Sequence, residues 1–153
     1  MREISERKKA ENKIAESQAA LSAIFESTRD IIWSINSKDF STISFNNALK
    51  DFFRKYRNTD INKGSKLEDL IPNERLDTWY GYIKKAIHEG PFEVEYKTST
   101  GKKTVNLSFY PLVKNGEIYG ISIFGKDITK LVESEKRLTN LLIRLRIILF
   151  GYC

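Results

Sequence analysis

From Ile128 to Leu149 apolar residues step along the chain by three and four: Ile128, Leu131, Leu138, Leu142, Leu145 and Leu149, with Glu135 the one charged residue in the series. A 3.5-residue period sustained without Gly or Pro is the pattern of a coiled-coil seam. It predicts a C-terminal helix over 129–153 whose stripe is too apolar to stand bare, so a second copy or a neighbouring helix should cover it. Residues 1–27 repeat the pattern more weakly. They are charged, free of Gly and Pro, and place Ala10, Ile14, Ser17, Leu21 and Ile24 at alternating steps of four and three. With both ends assigned to helices, residues 28–128 are left to build one domain around one core.

That middle region changes period. Ile31-Ile32-Trp33-Ser34-Ile35 and Thr42-Ile43-Ser44-Phe45 read as short strands joined by the polar turn Ser37-Lys38-Asp39. Asn46 is placed to cap a helix over Ala48–Tyr56. Ser65-Lys66-Leu67-Glu68 has the form of a capping box for a brief helical turn through Ile71. Pro72 suits the first turn of a longer helix that runs to about Glu89, before Gly90-Pro91. Phe92–Lys97 alternates apolar and charged residues, as a strand with one wet face does. After a turn at Thr100-Gly101, the stretch Thr104–Val113 puts Val105, Leu107, Phe109, Pro111 and Val113 on one face, with Pro111 marking a bulge or an edge. Asn115-Gly116 is a hairpin turn that needs positive φ at both positions, and it leads into Ile118–Lys126. The order predicts an α+β fold, a five-stranded antiparallel sheet with helices on one face, flanked by N- and C-terminal amphipathic, coiled-coil-like helices.

Composition narrows the chemistry. A hydrophobic share of 41% with 12% aromatic residues is that of a globular chain. The single cysteine is Cys153, so no disulfide framework can form, and a reducing, cytoplasmic location is expected. No stretch reaches the roughly 20 apolar residues that span a bilayer. The nearest, Leu141–Phe150, carries Arg144 and Arg146, so direct membrane insertion is not expected. The net charge of +6 is dispersed, with +1 in residues 1–24 and +3 in residues 129–153, and acids are interspersed throughout. A nucleic-acid surface would concentrate its basic groups, so no nucleic-acid partner is expected. One His, no internal Cys and no Gly-rich phosphate loop leave no nucleophile–base pair and no metal site to assemble. No catalytic residue is assigned.

One short motif occurs twice. Lys126-Asp127-Ile128-Thr129 opens the C-terminal helix, and Arg2-Glu3-Ile4-Ser5 matches it in kind at the start of the N-terminal one. The register continues, with Glu11 against Glu135, Ile14 against Leu138 and Leu21 against Leu145. Asp30-Ile31-Ile32-Trp33-Ser34-Ile35, Ile43-Ser44-Phe45-Asn46, and Phe92–Tyr96 with Thr100-Gly101-Lys102 stand where the other strands and turns belong. Together these segments resemble the PAS domain family over roughly residues 20–130, and the first residues resemble the exit linker of a preceding PAS domain.

The resemblance implies a sensory input or relay module of a bacterial or archaeal signalling protein, such as a sensor histidine kinase. It implies that Asp127, Ile128 and Thr129 pass sheet distortion to the C-terminal helix, and that a small cavity lies between sheet and helices. Trp33, Phe53, Trp79, Ile83, Leu107 and Phe109 are the candidate lining, and the alternative is that these side chains simply fill the core. Asn106 or Ser108 would orient a ligand if they face the cavity, which depends on strand parity. The flavin-photoreceptor type needs a reactive Cys mid-domain, and residues 46–90 contain none. Haem needs an axial ligand, while the lone His88 reads as a residue of a helix C-terminus, favoured there by the dipole. Neither haem nor flavin is therefore expected, and an unknown small molecule stays open. Expected partners are a second copy, through the flanking helices, and adjacent PAS, GAF or kinase domains of the same chain. Two functional readings remain: a sensing or relay domain, and a ligand-free dimerising spacer in a tandem array. The apolar run 141–150 fits either the end of the coiled coil or the first helix of a following domain.

Overall fold

The computed structural model describes residues 2–99 and 101–150; Thr100 and Cys153, on which two of the sequence readings fall, lie outside them. In chain order the elements are α1 (Arg2–Ser27), β1 (Ile31–Asn36), β2 (Thr42–Phe45), α2 (Asn47–Arg57), α3 (Leu67–Leu70), α4 (Asn73–Glu89), β3 (Phe92–Lys97), β4 (Thr104–Lys114), β5 (Glu117–Asp127) and α5 (Thr129–Phe150). The five strands form one antiparallel sheet in the order β2-β1-β5-β4-β3. The first and last strands in sequence thus lie side by side at its centre, so α1 feeds the sheet near the point where α5 leaves it.

Alternation decides which face is buried. Trp33 and Ile35 of β1, Ile121 and Ile123 of β5, and Val105, Leu107 and Phe109 of β4 are all at most 4% exposed and form the inner face. Leu49 and Phe53 of α2, Leu67 and Leu70 of α3, and Trp79, Ile83 and Ala86 of α4 close over it. The α4 residues recur at steps of four and three, so one stripe of that helix meets the sheet. In β3 the half-buried Phe92, Val94 and Tyr96 alternate with exposed Glu93, Glu95 and Lys97, as the sequence pattern requires.

Turn chemistry holds where φ demands it. Asn115 and Gly116 have φ of 53° and 77°, the left-handed pair expected of this hairpin. Pro111 lies beyond the last β3 pairing, Phe92 with Phe109, where β4 has a strand on one side only and a missing N–H costs little.

Two sequence readings are corrected, and one left open on strand parity is decided. Val113 does not share the buried face of β4: the register shifts between Leu112 and Val113, and this bulge re-phases the strand so that Val113 is 60% exposed. Asn106 and Ser108 alternate with the buried Val105, Leu107 and Phe109, so they belong to the outer face, where the Ser108 hydroxyl donates to Glu93 Oε1 at 3.4 Å. The capping box at Ser65 does not form. Ser65 Oγ instead accepts from the Asn62 amide at 2.9 Å, closing the loop before α3, and Lys66 takes the cap position without a side-chain bond.

Asn46 does more than cap α2. Its Oδ1 accepts from the amides of Leu49 (3.2 Å) and Ile32 (3.1 Å), and its Nδ2 donates to the carbonyls of Phe25 (3.1 Å) and Asp30 (2.9 Å). One buried side chain therefore ties the end of α1, the start of β1 and the start of α2 together. Trp33 Nε1 is likewise satisfied, donating to Thr42 Oγ1 at 3.2 Å.

Candidate functional site

Asp127 ends β5 and Thr129 begins α5, and their side chains meet across a single residue. Thr129 donates both its amide (2.9 Å) and its hydroxyl (2.5 Å) to Asp127 Oδ1. The same hydroxyl accepts from the amide of Thr104 at 3.0 Å, and the Ile128 amide donates to the Thr104 carbonyl at 2.9 Å. The first turn of α5 is thus fastened to the first residue of β4 as well as to the strand it continues. Lys103 completes the cluster, with Nζ 3.4 Å from Asp127 Oδ2. Burial pushes the Asp127 carboxyl up, but the two Thr129 hydrogen bonds and the Lys103 charge outweigh it and hold the group below the ordinary aspartate value.

Lys103 also lines a cavity of about 80 Å³ between the inner sheet face and the helices. Its apolar walls include Trp33, Leu49, Phe53, Leu107 and Ile123, and Tyr96 and Trp79 close one side with ring centroids 5.4 Å apart. Among the described lining residues the charged ones are Arg57 and Lys103, both cationic. The indole nitrogen of Trp79 is buried and has no hydrogen-bond partner among the described residues. A shallower neighbouring groove shares Ile31, Phe52, Tyr56, Lys103 and Val105 with the cavity and is lined also by Asp51, Gly125 and Asp127.

Of the lining residues expected from sequence, Trp33, Phe53, Trp79 and Leu107 stand on this cavity, while Ile83 and Phe109 are fully buried outside its walls. Phe109 stacks on Phe92 at 4.9 Å with ring planes 7° apart, which is core packing. Asp127, Ile128 and Thr129 stand where β5 ends and α5 begins. His88 is exposed in the last turn of α4 and stands off the cavity. Sequence reasoning missed Lys103 and Thr104. Lys103 falls between the Thr100-Gly101 turn and the strand from Thr104 with nothing in the sequence to single it out, and only the pairing of Val105 with Asp127 brings it beside the carboxylate.

No family model matches the sequence, and no curated protein does. Solved structures do match. The PAS domain of BvgS from Bordetella pertussis superposes with a TM-score of 0.55 at 17% identity, covering 85% of this chain and 98% of that one. The PAS domain of an HTR-like protein from Haloarcula marismortui gives 0.53 at 17% identity over 79% and 99%.

The chain has the PAS fold.

A sensory box histidine kinase/response regulator from Burkholderia thailandensis is similar in the same way, with a TM-score of 0.57 at 18% identity over 84% of this chain and 98% of that one. At such identities the likeness rests on the order and packing of elements. In this PAS fold the sheet supplies one wall of the cavity, and residues of α2 to α4 supply the facing wall. Its two long helices carry exposed stripes: Ile14, Leu21 and Ile24 on α1 and Leu131, Leu138, Leu142, Leu145 and Leu149 on α5 are each 43–74% exposed. Among the described residues no helix is long and apolar enough to cross a membrane.

Proposed function

We propose that this chain is a signal-input or relay PAS domain of a multidomain signalling protein such as a sensor histidine kinase, dimeric through α1 and α5. The observation that carries the reading is the junction at Asp127 and Thr129. It joins the end of a central strand, the start of a neighbouring strand and the first turn of α5, and it reaches the cavity lining through Lys103. A change in the cavity or in a neighbouring domain moves β4 or β5, and α5 follows because its first turn is bonded to both. The exposed heptad stripe of α5 then changes its rotation or register against the same stripe of a second copy. Matching stripes on two helices of one chain favour a second copy as the cover, since two copies bring like seams together. The likeness to sensory box histidine kinases from Burkholderia thailandensis and Vibrio cholerae supports the signalling role.

Sedimentation equilibrium of the purified chain tests the dimer, with Leu142→Glu and Leu145→Glu as disrupting variants. A dimer that these changes dissociate, with the core's amide spectrum unchanged, is the expected result. A wild-type chain that stays monomeric at every concentration overturns the relay through paired helices and leaves α5 to a different neighbour.

The second reading, a ligand-free dimerising spacer, is favoured by the tightness of the core around the small cavity. It requires the cavity to stay closed to small molecules: a native mass spectrum of the dimer at bare polypeptide mass supports it, and added non-covalent mass overturns it.

A further inference from the structure

The seam of α5 leaves a second apolar stripe bare. Leu138, Leu142, Leu145 and Leu149 run along one side of the helix. Ile143, Ile147 and Phe150 repeat the four-three step on another side, turned roughly 140° from that seam at about 3.6 residues per turn. They are 52%, 49% and 70% exposed. In a two-stranded coil these are outward positions, where polar side chains ordinarily stand. A helix that is apolar on both sides needs a cover besides its twin.

Charge separates the possible covers. From Lys136 onward the sequence has four cations, Lys136, Arg137, Arg144 and Arg146, and no Asp or Glu. The acids of α5, Glu133 and Glu135, both precede Lys136. Arg144 and Arg146 border the second stripe, one on each side, and Lys136 lies in line with it about two turns before Ile143. An apolar stripe bordered by cations is the pattern of a helix lying in the headgroup boundary of an anionic bilayer. Arginine stems lie along the acyl boundary there while the guanidinium groups stay with the phosphates. A protein helix as the cover would have to answer the same cations with acids placed in register.

We propose that the C-terminal half of α5 docks on an anionic membrane surface through Ile143, Ile147 and Phe150, with Lys136, Arg144 and Arg146 on the lipid phosphates. The stretch 136–150 is roughly 22 Å long as a helix, shorter than the hydrocarbon core of about 30 Å, so it lies on the bilayer and does not cross it. The stripe stands off the seam that pairs two copies. A monomeric wild-type chain would therefore sink the proposed dimer without touching the vesicle result.

The test is co-sedimentation of the whole chain with vesicles of phosphatidylcholine alone, or of phosphatidylcholine mixed equally with phosphatidylglycerol. Binding to the mixed vesicles should be stronger by about tenfold or more and should fall as salt is raised. The double variant Ile143→Ser, Ile147→Ser should lose about tenfold or more of that binding. Arg144→Gln should lose about fivefold. Without lipid, sedimentation equilibrium of the double variant should match wild type, because neither isoleucine lies on the seam. Absence of binding to either vesicle, equal binding to both, or full binding by the double variant overturns the inference. A double variant that also loses self-association assigns the stripe to a contact between chains, and that too overturns it.

Discussion

Lys103 Nζ lies 3.4 Å from Asp127 Oδ2 while the same residue lines the cavity, so one ion pair links the cavity lining to the first turn of α5. The pair is partly exposed, and an ion pair of that kind adds about 0–1 kcal/mol to stability. Its importance lies in what it connects. The neighbouring Thr129 contacts are short and directional, and they set the orientation of the helix.

Thr129→Val should detach α5 from β4 while sparing the core. The substitution keeps shape but removes the hydroxyl that accepts from the Thr104 amide and donates to Asp127. Leaving the buried Thr104 N–H unpaired costs about 1–2 kcal/mol. Hydrogen exchange at Thr104 and through the first turn of α5 should speed up, with exchange at Ile121 and Ile123 unchanged. Thr129→Ser should behave as wild type. Equal protection in Thr129→Val and wild type would dismiss the hydroxyl as a fastener.

Acid should release the junction, and only strong acid. The folded-state pKa of Asp127 lies below the ordinary value of 3.8. A depressed carboxylate contributes stability that is fully present above its unfolded pKa and is lost as pH falls through the folded one. The Thr129 amide shift should thus be flat from neutral pH to about pH 5 and titrate with a midpoint below 3.8. Lys103→Met should raise that midpoint toward the ordinary value. A wild-type midpoint above 3.8 would contradict the hydrogen-bonding account.

Asn46→Asp should be far more damaging than its small change in shape suggests. The aspartate keeps the two acceptor roles toward Leu49 and Ile32 but turns an oxygen toward the carbonyls of Phe25 and Asp30, where Nδ2 now donates. Two donations become two repulsions at a site 1% exposed. A loss of about 2–4 kcal/mol in urea unfolding is expected. An unchanged midpoint would mean that α1 is not held through Asn46.

Two glycines should respond with opposite signs. A Cβ on Gly120 would sit 2.8 Å from the Ile35 carbonyl oxygen and 3.0 Å from Ile43 Cδ1, and the former belongs to the central β1–β5 pairing. Gly120→Ala should cost about 1–3 kcal/mol. Gly81 lies within α4 with open space around it, so Gly81→Ala should add about 0.5–1 kcal/mol. Thermal unfolding of the two variants side by side checks the contrast.

Patterns local in sequence carried the fold. Strict alternation in Phe92–Lys97, the Asn115-Gly116 pair, the Asn46 cap and the three-four stepping of both end helices are each set by neighbours along the chain, and each appears in the structure as read. Such features depend on backbone geometry and side-chain period, which a sequence states directly. The candidate site was only partly legible. Trp33, Phe53, Trp79 and Leu107 could be named as apolar residues facing inward, but Ile83 and Phe109, equally apolar, pack solidly beside them. Whether an inward side chain meets another atom or a void depends on how separate elements fit together. The same holds for the Leu112 bulge, which turned Val113 outward, and for Ser65, whose hydroxyl found the Asn62 amide before it could cap α3. Most of all it holds for Lys103. Its partner Asp127 lies 24 residues along the chain, and antiparallel register alone puts a lysine from a turn beside the carboxylate that starts α5. By itself the sequence determined which elements form, because their causes are local. Tertiary structure decided which of their side chains share a cavity and an ion pair, because those contacts exist only after distant strands have paired.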